Sequence, residues 1–356
     1  MTYYLGVDLH KKTQTWILLN EEDDTPVFSR EYLVSPSEVA RACRDIGKFG
    51  NIVAAIEPVC GWQWQVVQMR EANITVHVSN PRKTVLIAKS LQKTDKNDAL
   101  TLALLVRTGL LHKSIEVSPE TKKLRALVRE RSFLVQLRAG IQCRLEGVVT
   151  REGRHLLEGA TSSKKGASMI LASANHEWKR AVRMKIDLGV YIDEIEVELR
   201  KETQTSLVKL LTTIPGVGVI TALTWIAEIG DFSLFPTSEK LCAFAGLVPT
   251  ERSSAGVQKL GHITKAGSTH LRYMAVEAAM HIRNEPKTKI LYEFYEKIKL
   301  KKGAMCGRVA LARKMLTIAW YMVKKNEPYI PRLQTNMKTL LSSVRLPLRG
   351  DLVHTL

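Results

Sequence analysis

Four carboxylates in the first hundred residues have the types and positions expected of a metal site. Asp8 lies in the apolar stretch YYLGVDLH, and Glu57 lies in the apolar stretch IVAAIEPV. Asp95 and Asp98 lie three residues apart on a predicted helix, so they face the same side. A single acid of this kind is usually a solvated surface residue. An unpaired charge within an apolar strand is costly, however, so Asp8 and Glu57 are better candidates than most.

Carboxylates that converge repel one another unless cations hold them together. Mg²⁺ is the natural partner because it prefers oxygen ligands. Two such ions a few ångströms apart can hold the attacking and the leaving oxygens at a phosphodiester. The four acids therefore predict a site for Mg²⁺, with two ions, that acts on a nucleic-acid backbone.

A loop of small residues offers a second kind of chemistry. Ser253 and Ser254 lie between Pro249 and Gly261. A serine hydroxyl can attack a phosphodiester and conserve its energy as a phosphoserine ester, and basic neighbours would stabilise the developing charge. The basic neighbours in sequence are Arg252, Lys259, Lys265, His270 and Arg272. On its own, a serine pair in a glycine-rich loop is more often structural than catalytic.

The turn IPGVGV precedes an apolar helix that is predicted from about residue 221. Gly216 and Gly218 would let backbone N–H groups and the positive end of the helix face a phosphate. This arrangement resembles a helix-hairpin-helix turn, which binds the nucleic-acid backbone without reading its sequence. The alternative is an ordinary tight turn between two helices.

The elements that must position the acids form a predicted mixed α/β sheet. Apolar stretches predict strands at 3–9, 13–19, 27–34, 51–57 and 74–78. Helices are predicted after the third, fourth and fifth strands, and the first of them is capped by Ser35 and Pro36. The order is an antiparallel meander followed by crossovers, which makes the first and fourth strands neighbours. Asp8 and Glu57 are then expected at one end of the sheet.

Long helices dominate the middle of the chain. The ranges 118–152 and 176–205 are charged and helical in pattern, and 153–173 is predicted to connect them. Four apolar residues of the second range follow a heptad spacing, namely Leu188, Ile192, Ile195 and Leu199. The two helices therefore predict an antiparallel coiled-coil arm, or alternatively two core helices of a bundle. The remainder is predicted to be mainly α-helical, ending in a loosely ordered basic tail.

Charge separates the chain into two parts. The net charge is +18, yet residues 1–100 carry 12 basic and 12 acidic side chains. Such a basic remainder indicates an anionic partner. There is no apolar run long enough for a spanning helix and no signal-peptide pattern, and the five cysteines are scattered. A nucleic acid rather than a membrane is the predicted partner, and the cytosol is the predicted location.

Three motifs carry a resemblance to a known family. GVDLHKK, AAIEP and KTDKNDA, in this order, resemble the Asp-Glu-Asp-Asp signature of the RuvC-like (RNase H-fold) domain in transposases of the IS110/IS1111 family. The resemblance implies that the metal-binding acids are Asp8, Glu57, Asp95 and Asp98. The family glutamate is often followed by Ala-Thr-Gly or Ala-Ser, whereas Pro58-Val59-Cys60-Gly61 follows it here.

The stretch from GLVP to GHITKAG resembles the C-terminal transposase domain of the same family. There the catalytic serine lies five residues after the proline, which implies Ser254 with Ser253 as the reserve candidate. Ala255 stands where the family normally has glycine. Together with the helical and charge patterns, the resemblance predicts four regions: a RuvC-like DEDD catalytic domain at 1–115, a coiled-coil or helical arm at 116–205, a transposase domain at 206–326 and a basic tail at 327–356.

The resemblance also implies a function, partners and a location, which is the prokaryotic cytoplasm with association to the nucleoid during action. It implies an insertion-sequence recombinase that cuts and rejoins donor and target DNA through a phosphoserine intermediate, with Mg²⁺ and a non-coding bridge RNA as guide. It further implies a tetramer built as a dimer of dimers, in which the acids and the serine of one active site come from different protomers. Near the acids, Trp62, Trp64 and the pair Arg82-Lys83 are weaker candidates for nucleic-acid contact.

Two alternatives stay open on sequence alone. One is a RuvC-type, metal-dependent, structure-specific nuclease that uses water, with Ser254 merely structural. The other is a non-catalytic RNA-binding scaffold, which needs neither the acids nor a divalent metal.

Overall fold

The computed structural model describes residues 1–59, 61–81, 95–114, 116–151, 163–172, 175–251 and 260–331. These residues form two compact units, Met1–Glu116 and a second that begins at Val117. Each unit has its own hydrophobic core. No helix within the described ranges is both long enough and apolar enough to cross a bilayer.

The first unit is built on a five-stranded mixed sheet. Its strands are β1 (Thr2–Leu9), β2 (Thr13–Leu19), β3 (Phe28–Leu33), β4 (Asn51–Ile56) and β5 (Thr75–Val78). The strand order is β3-β2-β1-β4-β5. β1, β2 and β3 are antiparallel to their neighbours, whereas β4 runs parallel to β1 and β5 runs parallel to β4. The predicted mixed sheet, with the first and fourth strands adjacent, is confirmed.

Helices cover both faces of this sheet. On one face, α1 (Pro36–Gly47) and α2 (Trp62–Glu71) pack on the side chains of Leu5, Val7 and Ile56. The predicted cap of α1 forms, because Ser35 Oγ accepts a hydrogen bond from the N–H of Glu38 at 3.3 Å. The other face carries α3 (Asp95–Arg107).

The two tryptophans of α2 were weak candidates for nucleic-acid contact. Trp62 and Trp64 are partly buried, and both pack against the core under α1 and α2. Their rings therefore contribute to the core of the first unit. Arg82 and Lys83 lie outside the described residues.

The second unit begins with two long helices, α4 (Pro119–Arg151) and α6 (His176–Arg200), that pack along each other. A short helix, α5 (Lys164–Ala172), lies within the segment that the sequence predicted as a plain connection. It forms because Ile170 joins Leu145, Val149 and Trp178 in a small core of its own, so the glycine- and serine-rich composition was misleading. A 3₁₀ turn, Lys201–Gln204, follows α6.

The rest of the second unit is mainly α-helical. Its helices are α7 (Ser206–Leu211), α8 (Val219–Ile229), α9 (Ser238–Phe244), α10 (Thr269–Met280), α11 (Lys289–Lys302) and α12 (Ala304–Lys325). A hairpin of β6 (Pro249–Glu251) and β7 (Leu260–Ile263) lies between α9 and α10, and a 3₁₀ turn, Phe232–Leu234, precedes α9. Val128 of α4 and Leu199 of α6 join the core of these helices. The ends of the long helices are thus anchored in the same core, while a coiled-coil arm stays a prediction.

Candidate active site

Two of the predicted acids lie side by side at one edge of the sheet. In the parallel pair of β1 and β4, Val7 is in register with Ile56, so the next residues along are Asp8 and Glu57. Asp8 is buried, with 4% of its surface exposed. Glu57 is half-buried and lies just past the end of β4. The carboxyl ends of these two parallel strands therefore bring both acids to one edge.

Helix α3 brings the third acid to the same edge. It packs so closely on β1 that a Cβ atom on Gly6 would lie 1.8 Å from the carbonyl oxygen of Ala99. Gly6 and Asp8 are two apart on one strand, so α3 covers the face from which Asp8 projects. At the other end of α3, Arg107 bonds to the carbonyl oxygen of Asp23 at 2.6 Å, near the start of β1.

The position of Arg107 shows at which edge of the sheet α3 begins. Because the last residue of α3 lies beside the start of β1, its first turn lies beside the end of β1, at the edge that holds Asp8. Asp98 belongs to that first turn and is half-buried. Asp95 is the first residue of α3, but its side chain lies outside the described part of the structure. Three described acids thus share one edge of the sheet.

Two neighbours of the acids were missed from the sequence. His10 Nε2 lies 3.0 Å from Oδ2 of Asp8, at the turn that follows β1. Ser79 follows β5 in register with Glu57, since Val78 pairs with Ile56, and its N–H bonds to the carbonyl oxygen of Ile56 at 2.9 Å. Its buried hydroxyl has no hydrogen-bond partner among the described residues. Ser79 could have been predicted from the sequence as the residue that directly follows β5, in the same way that Glu57 directly follows β4.

The donor set at this edge suits a hard divalent cation. Its members are carboxylate oxygens, which Mg²⁺ prefers, and the buried carboxylate of Asp8 is the kind of group that a bound cation stabilises. Within the described residues there is no group of three or more His, Cys, Asp or Glu side chains arranged to hold a metal ion. The side chain of the fourth acid, Asp95, is not among them.

The predicted serine lies at the tip of a hairpin. β6 and β7 pair in antiparallel fashion, with Pro249 opposite Ile263 and Glu251 opposite Leu260. The tip, residues 252–259, falls outside the described residues and contains Arg252, Ser253, Ser254 and Lys259. The described part of the hairpin is the base that holds this loop.

Two glycines lock that base by direct backbone packing. Gly246 has φ +69°, and a Cβ atom there would lie 2.2 Å from the carbonyl oxygen of Ala266. Gly267 has φ +93°, and a Cβ atom there would lie 1.8 Å from the carbonyl oxygen of Phe244. The N–H of Lys265 also bonds to the carbonyl oxygen of Gly246 at 3.1 Å. The glycines of the two motifs around the serine therefore fix the described base of the hairpin.

The predicted nucleic-acid contacts have different surroundings. Lys265 is exposed at a positive φ of 51°, and His270 is half-buried in the first turn of α10. Arg272 donates a hydrogen bond to the carbonyl oxygen of Ala245 at 3.2 Å, which ties α10 to the end of α9. One hydrogen bond of this guanidinium is therefore used within the protein. Its contact with nucleic acid stays a prediction.

The glycine turn before α8 also has a packing role. Gly216 has φ +80°, and a Cβ atom there would lie 2.5 Å from the carbonyl oxygen of Ala278 in α10. Glycine is therefore required at 216 by helix packing alone. Gly218 caps α8 in extended backbone and would meet nothing within 4 Å. Phosphate binding at this turn stays a prediction.

The strand order and the acids at the ends of β1 and β4 define an RNase H-like, RuvC-like domain, followed by a mostly helical unit. A DEDD transposase model of the IS110 type matches residues 5–153. The model described as "Transposase IS116/IS110/IS902 family" matches residues 208–296. The two matched regions contain the four acids and the serine loop, respectively.

Known proteins with similar sequences carry related names. The transposase for insertion sequence element IS1111A of Coxiella burnetii is 27% identical, over 72% of this chain and 73% of that protein. The pilin gene-inverting protein of Moraxella bovis is 31% identical, over 35% of this chain and 39% of that protein. Among solved structures, Thermus thermophilus RuvC is matched with 14% identity and a TM-score of 0.24, over 32% of this chain and 99% of RuvC.

The chain belongs to the IS110/IS1111 family of transposases. The enzyme class predicted from the sequence, DNA strand cleavage and rejoining, is thereby confirmed.

Proposed function

We propose that this chain is an insertion-sequence recombinase that cuts and rejoins DNA through a phosphoserine intermediate, with Mg²⁺ as cofactor and a non-coding bridge RNA as guide. The observation that carries the proposal is the gathering of Asp8, Glu57 and the first turn of α3 at one sheet edge. The match of both family models, one over the acids and one over the serine loop, supports it.

In the proposed reaction, Asp8, Glu57, Asp95 and Asp98 would hold Mg²⁺, with two ions per site. When bound, Mg²⁺ would lower the pKa of a nearby hydroxyl and neutralise charge on the scissile phosphate. The Oγ of Ser254 attacks the phosphorus and loses its proton. The 3′-oxygen leaves with a proton, and the 5′-phosphate stays on the serine.

Rejoining reverses this step with a different strand. A free 3′-hydroxyl from the other DNA attacks the phosphoserine, and the serine Oγ leaves and regains a proton. The phosphodiester energy is kept throughout, so strand exchange requires no ATP. Gly246 and Gly267 serve this chemistry by holding the base of the serine loop.

The proposed partners follow from the family and from the charge of the chain. Donor and target DNA, together with the bridge RNA, would be bound by the basic second unit, and Arg252, Lys259, Lys265, His270 and Arg272 are the proposed contacts near the serine. We propose a tetramer, made as a dimer of dimers, in which different protomers supply the acids and the serine of one site. The long helices α4 and α6 would serve its assembly.

The first test replaces the proposed nucleophile. The full chain, with its co-purified RNA, is incubated with Mg²⁺ and a plasmid that carries the element's own ends. We expect wild type to form a protein–DNA adduct that survives denaturing gel electrophoresis, and Ser254→Ala to form none, because no hydroxyl remains at that position to take the phosphate. Ser253→Ala is the matched control and should retain the adduct.

The outcomes also separate the alternatives. An adduct that is lost in Ser253→Ala and kept in Ser254→Ala moves the nucleophile to the reserve serine. Unchanged DNA cutting without any adduct in both variants favours a RuvC-type nuclease that uses water. RNA binding that is unchanged in Asp8→Asn and independent of divalent metal, with no DNA cutting by wild type or variant, would favour the non-catalytic RNA-binding scaffold.

A further inference from the structure

A groove of about 450 Å³ lies beside the base of the serine loop. One wall is the β6–β7 hairpin, with Pro249 and Ile263, and the opposite wall is formed by α11 and α12. The wall residues from these helices include Phe294, Ile298 and Val309. The groove therefore has apolar walls and a size within the usual range for small-molecule sites.

The charged residues that line this groove are basic among those that the structure describes. They are Lys265, Lys301, Lys302, Arg313 and Lys314, and no described carboxylate lines it. Lys301 and Lys302 are exposed, while Lys314 is partly buried with its Nζ 4.1 Å from the centre of the Phe294 ring. Burial lowers the pKa of Lys314 to about 8, so an adjacent phosphate would favour its charged form. Apolar walls under a cationic rim match an apolar, anionic ligand.

We propose that this groove binds one unstacked nucleotide of the DNA strand that the serine loop cuts, with the base on the apolar wall and the phosphate on the lysine rim. The proposal rests on the proposed function. Its basis is position: Pro249 and Ile263 line the groove and also pair at the base of the hairpin whose tip carries Ser254. A nucleotide drawn out of the stack into a pocket is known from enzymes that modify DNA bases, so the geometry is accessible to DNA.

Other occupants fit the groove less well. A second copy of this chain would bring further positive charge, since the net charge of one chain is +18. A duplex would offer phosphates to the rim but would leave the apolar wall uncovered. A single base covers it, because every base has a flat face that packs on aromatic and apolar side chains.

The test is photochemical crosslinking of the full chain to a single-stranded oligodeoxynucleotide that carries one 5-iodouracil. Phe294, Met305 and Cys306 line the groove and are side chains to which this base couples on irradiation. We expect crosslinks in peptides from α11 and α12. Ala310→Trp fills the groove and should lower the crosslink at least fivefold. Leu300→Trp is the control, because Leu300 is 83% exposed and does not line the groove.

A second pair of variants tests the rim without altering the packing. Lys302→Glu should weaken oligonucleotide binding roughly tenfold through lost phosphate contact. Lys297→Glu makes the same charge change at an exposed position outside the groove and should change binding by less than about twofold. Equal effects of the two substitutions would overturn the rim's role.

Three results decide the proposal. Crosslinks that are lost in Ala310→Trp but kept in Leu300→Trp support it. Stronger crosslinking to the matching RNA oligonucleotide than to DNA overturns it in favour of an RNA site. DNA binding without groove crosslinks overturns it as well. The two proposals fail separately. Groove crosslinks without any adduct in the wild type overturn the phosphoserine step alone. An adduct in the wild type without groove crosslinks overturns the groove proposal alone.

Discussion

Asp8 is the acid whose surroundings most restrict its chemistry. Its carboxylate is buried in an apolar strand, and its Oδ2 lies 3.0 Å from His10 Nε2. A buried carboxylate at this edge is favoured when cations or donors neutralise it. The predicted binding of a metal ion by Asp8 thus depends on the negative charge of its carboxylate.

We expect Asp8→Asn to abolish the response to Mg²⁺, because it keeps the shape of the side chain and removes its charge. Excess MgCl₂ should raise the melting temperature of the wild type and leave that of the variant unchanged. DNA cutting should fall roughly 10³-fold or more, equivalent to several kcal/mol of transition-state stabilisation. Thermal unfolding with and without EDTA measures the first effect, and plasmid cutting measures the second.

The matched control is Glu71→Gln, which removes an exposed acid from α2 in the same unit. It should keep both the Mg²⁺ response and the cutting activity. A melting temperature of Asp8→Asn that still rises with MgCl₂ would show that Asp8 is not a ligand.

At the scale of elements, the position of α3 decides where Asp98 lies. The helix rests directly on the backbone of β1 because residue 6 has no side chain. We expect Gly6→Ala to lower the free energy of unfolding by about 3 kcal/mol, the upper part of the range for overpacked sites, and to reduce DNA cutting as the first turn of α3 moves. Urea unfolding and plasmid cutting measure the two effects.

Gly47→Ala is the control for this substitution. Gly47 is the last residue of α1, and a Cβ atom there meets nothing within 4 Å. Its stability should be unchanged, or raised by up to about 1 kcal/mol through helix propensity. Equal urea midpoints for the two variants would contradict direct packing of α3 on Gly6.

An ion pair with a buried carboxylate connects α4 to α8 in the second unit. Glu228 is 2% exposed and accepts hydrogen bonds from Arg129 at 2.7 and 2.9 Å. Burial by itself raises the pKa of Glu228, but the bonds and charges from Arg129 and Arg125 outweigh it. The pKa of this carboxyl is therefore below its ordinary value of 4.5.

This pair should make stability depend on pH in one direction. A depressed pKa contributes stability that is present above the ordinary value and is lost as the pH falls through the folded-state value. At pH 7 we expect Glu228→Gln to lower the free energy of unfolding by about 3 kcal/mol, and the difference from wild type to narrow below about pH 4.5. Urea unfolding at several pH values measures this.

Glu116→Gln provides the comparison, because Glu116 pairs with Arg70 at 2.7 Å but both side chains are more than 40% exposed. An exposed pair contributes less than about 1 kcal/mol. A difference for Glu228→Gln that is constant with pH would contradict the lowered pKa of the buried Glu228 carboxyl.

For the whole molecule, the sequence predicted best what depends on local pattern. The strands around Asp8 and Glu57 could be predicted because apolar runs and turn residues set their ends, and the crossover connections then order the sheet. The close approach of α3 to Gly6 could not, because it depends on a contact between residues 93 positions apart. The hydrogen bond from Arg272 to the carbonyl oxygen of Ala245 could not be predicted either, because it joins two separate elements. Nor could α5, because it is stabilised by the packing of Ile170 against residues of other helices.

The charge of the molecule follows the division into two units. Residues 1–116 carry 14 basic and 13 acidic side chains, whereas residues 117–356 carry 39 basic and 22 acidic ones. Of the net charge of +18, +17 therefore belongs to the second unit, and the first unit is close to neutral. A neutral unit can gather carboxylates around cations, while the basic unit supplies the attraction for phosphates.

Binding of DNA by this chain should therefore weaken steeply with salt, and the slope should depend on the second unit. Each phosphate contact adds about −0.9 to the slope of log K against log salt. Replacing Lys301 and Lys302 with alanine should reduce that slope by about 2, if each contacts one phosphate. Replacing Arg44 and Lys48, two exposed cations of the first unit, removes the same charge and should leave the slope unchanged.

Fluorescence anisotropy of a labelled duplex over a KCl series measures the slopes of both double variants. Equal slopes for the two double variants would mean that total charge, rather than a basic surface of the second unit, attracts the DNA.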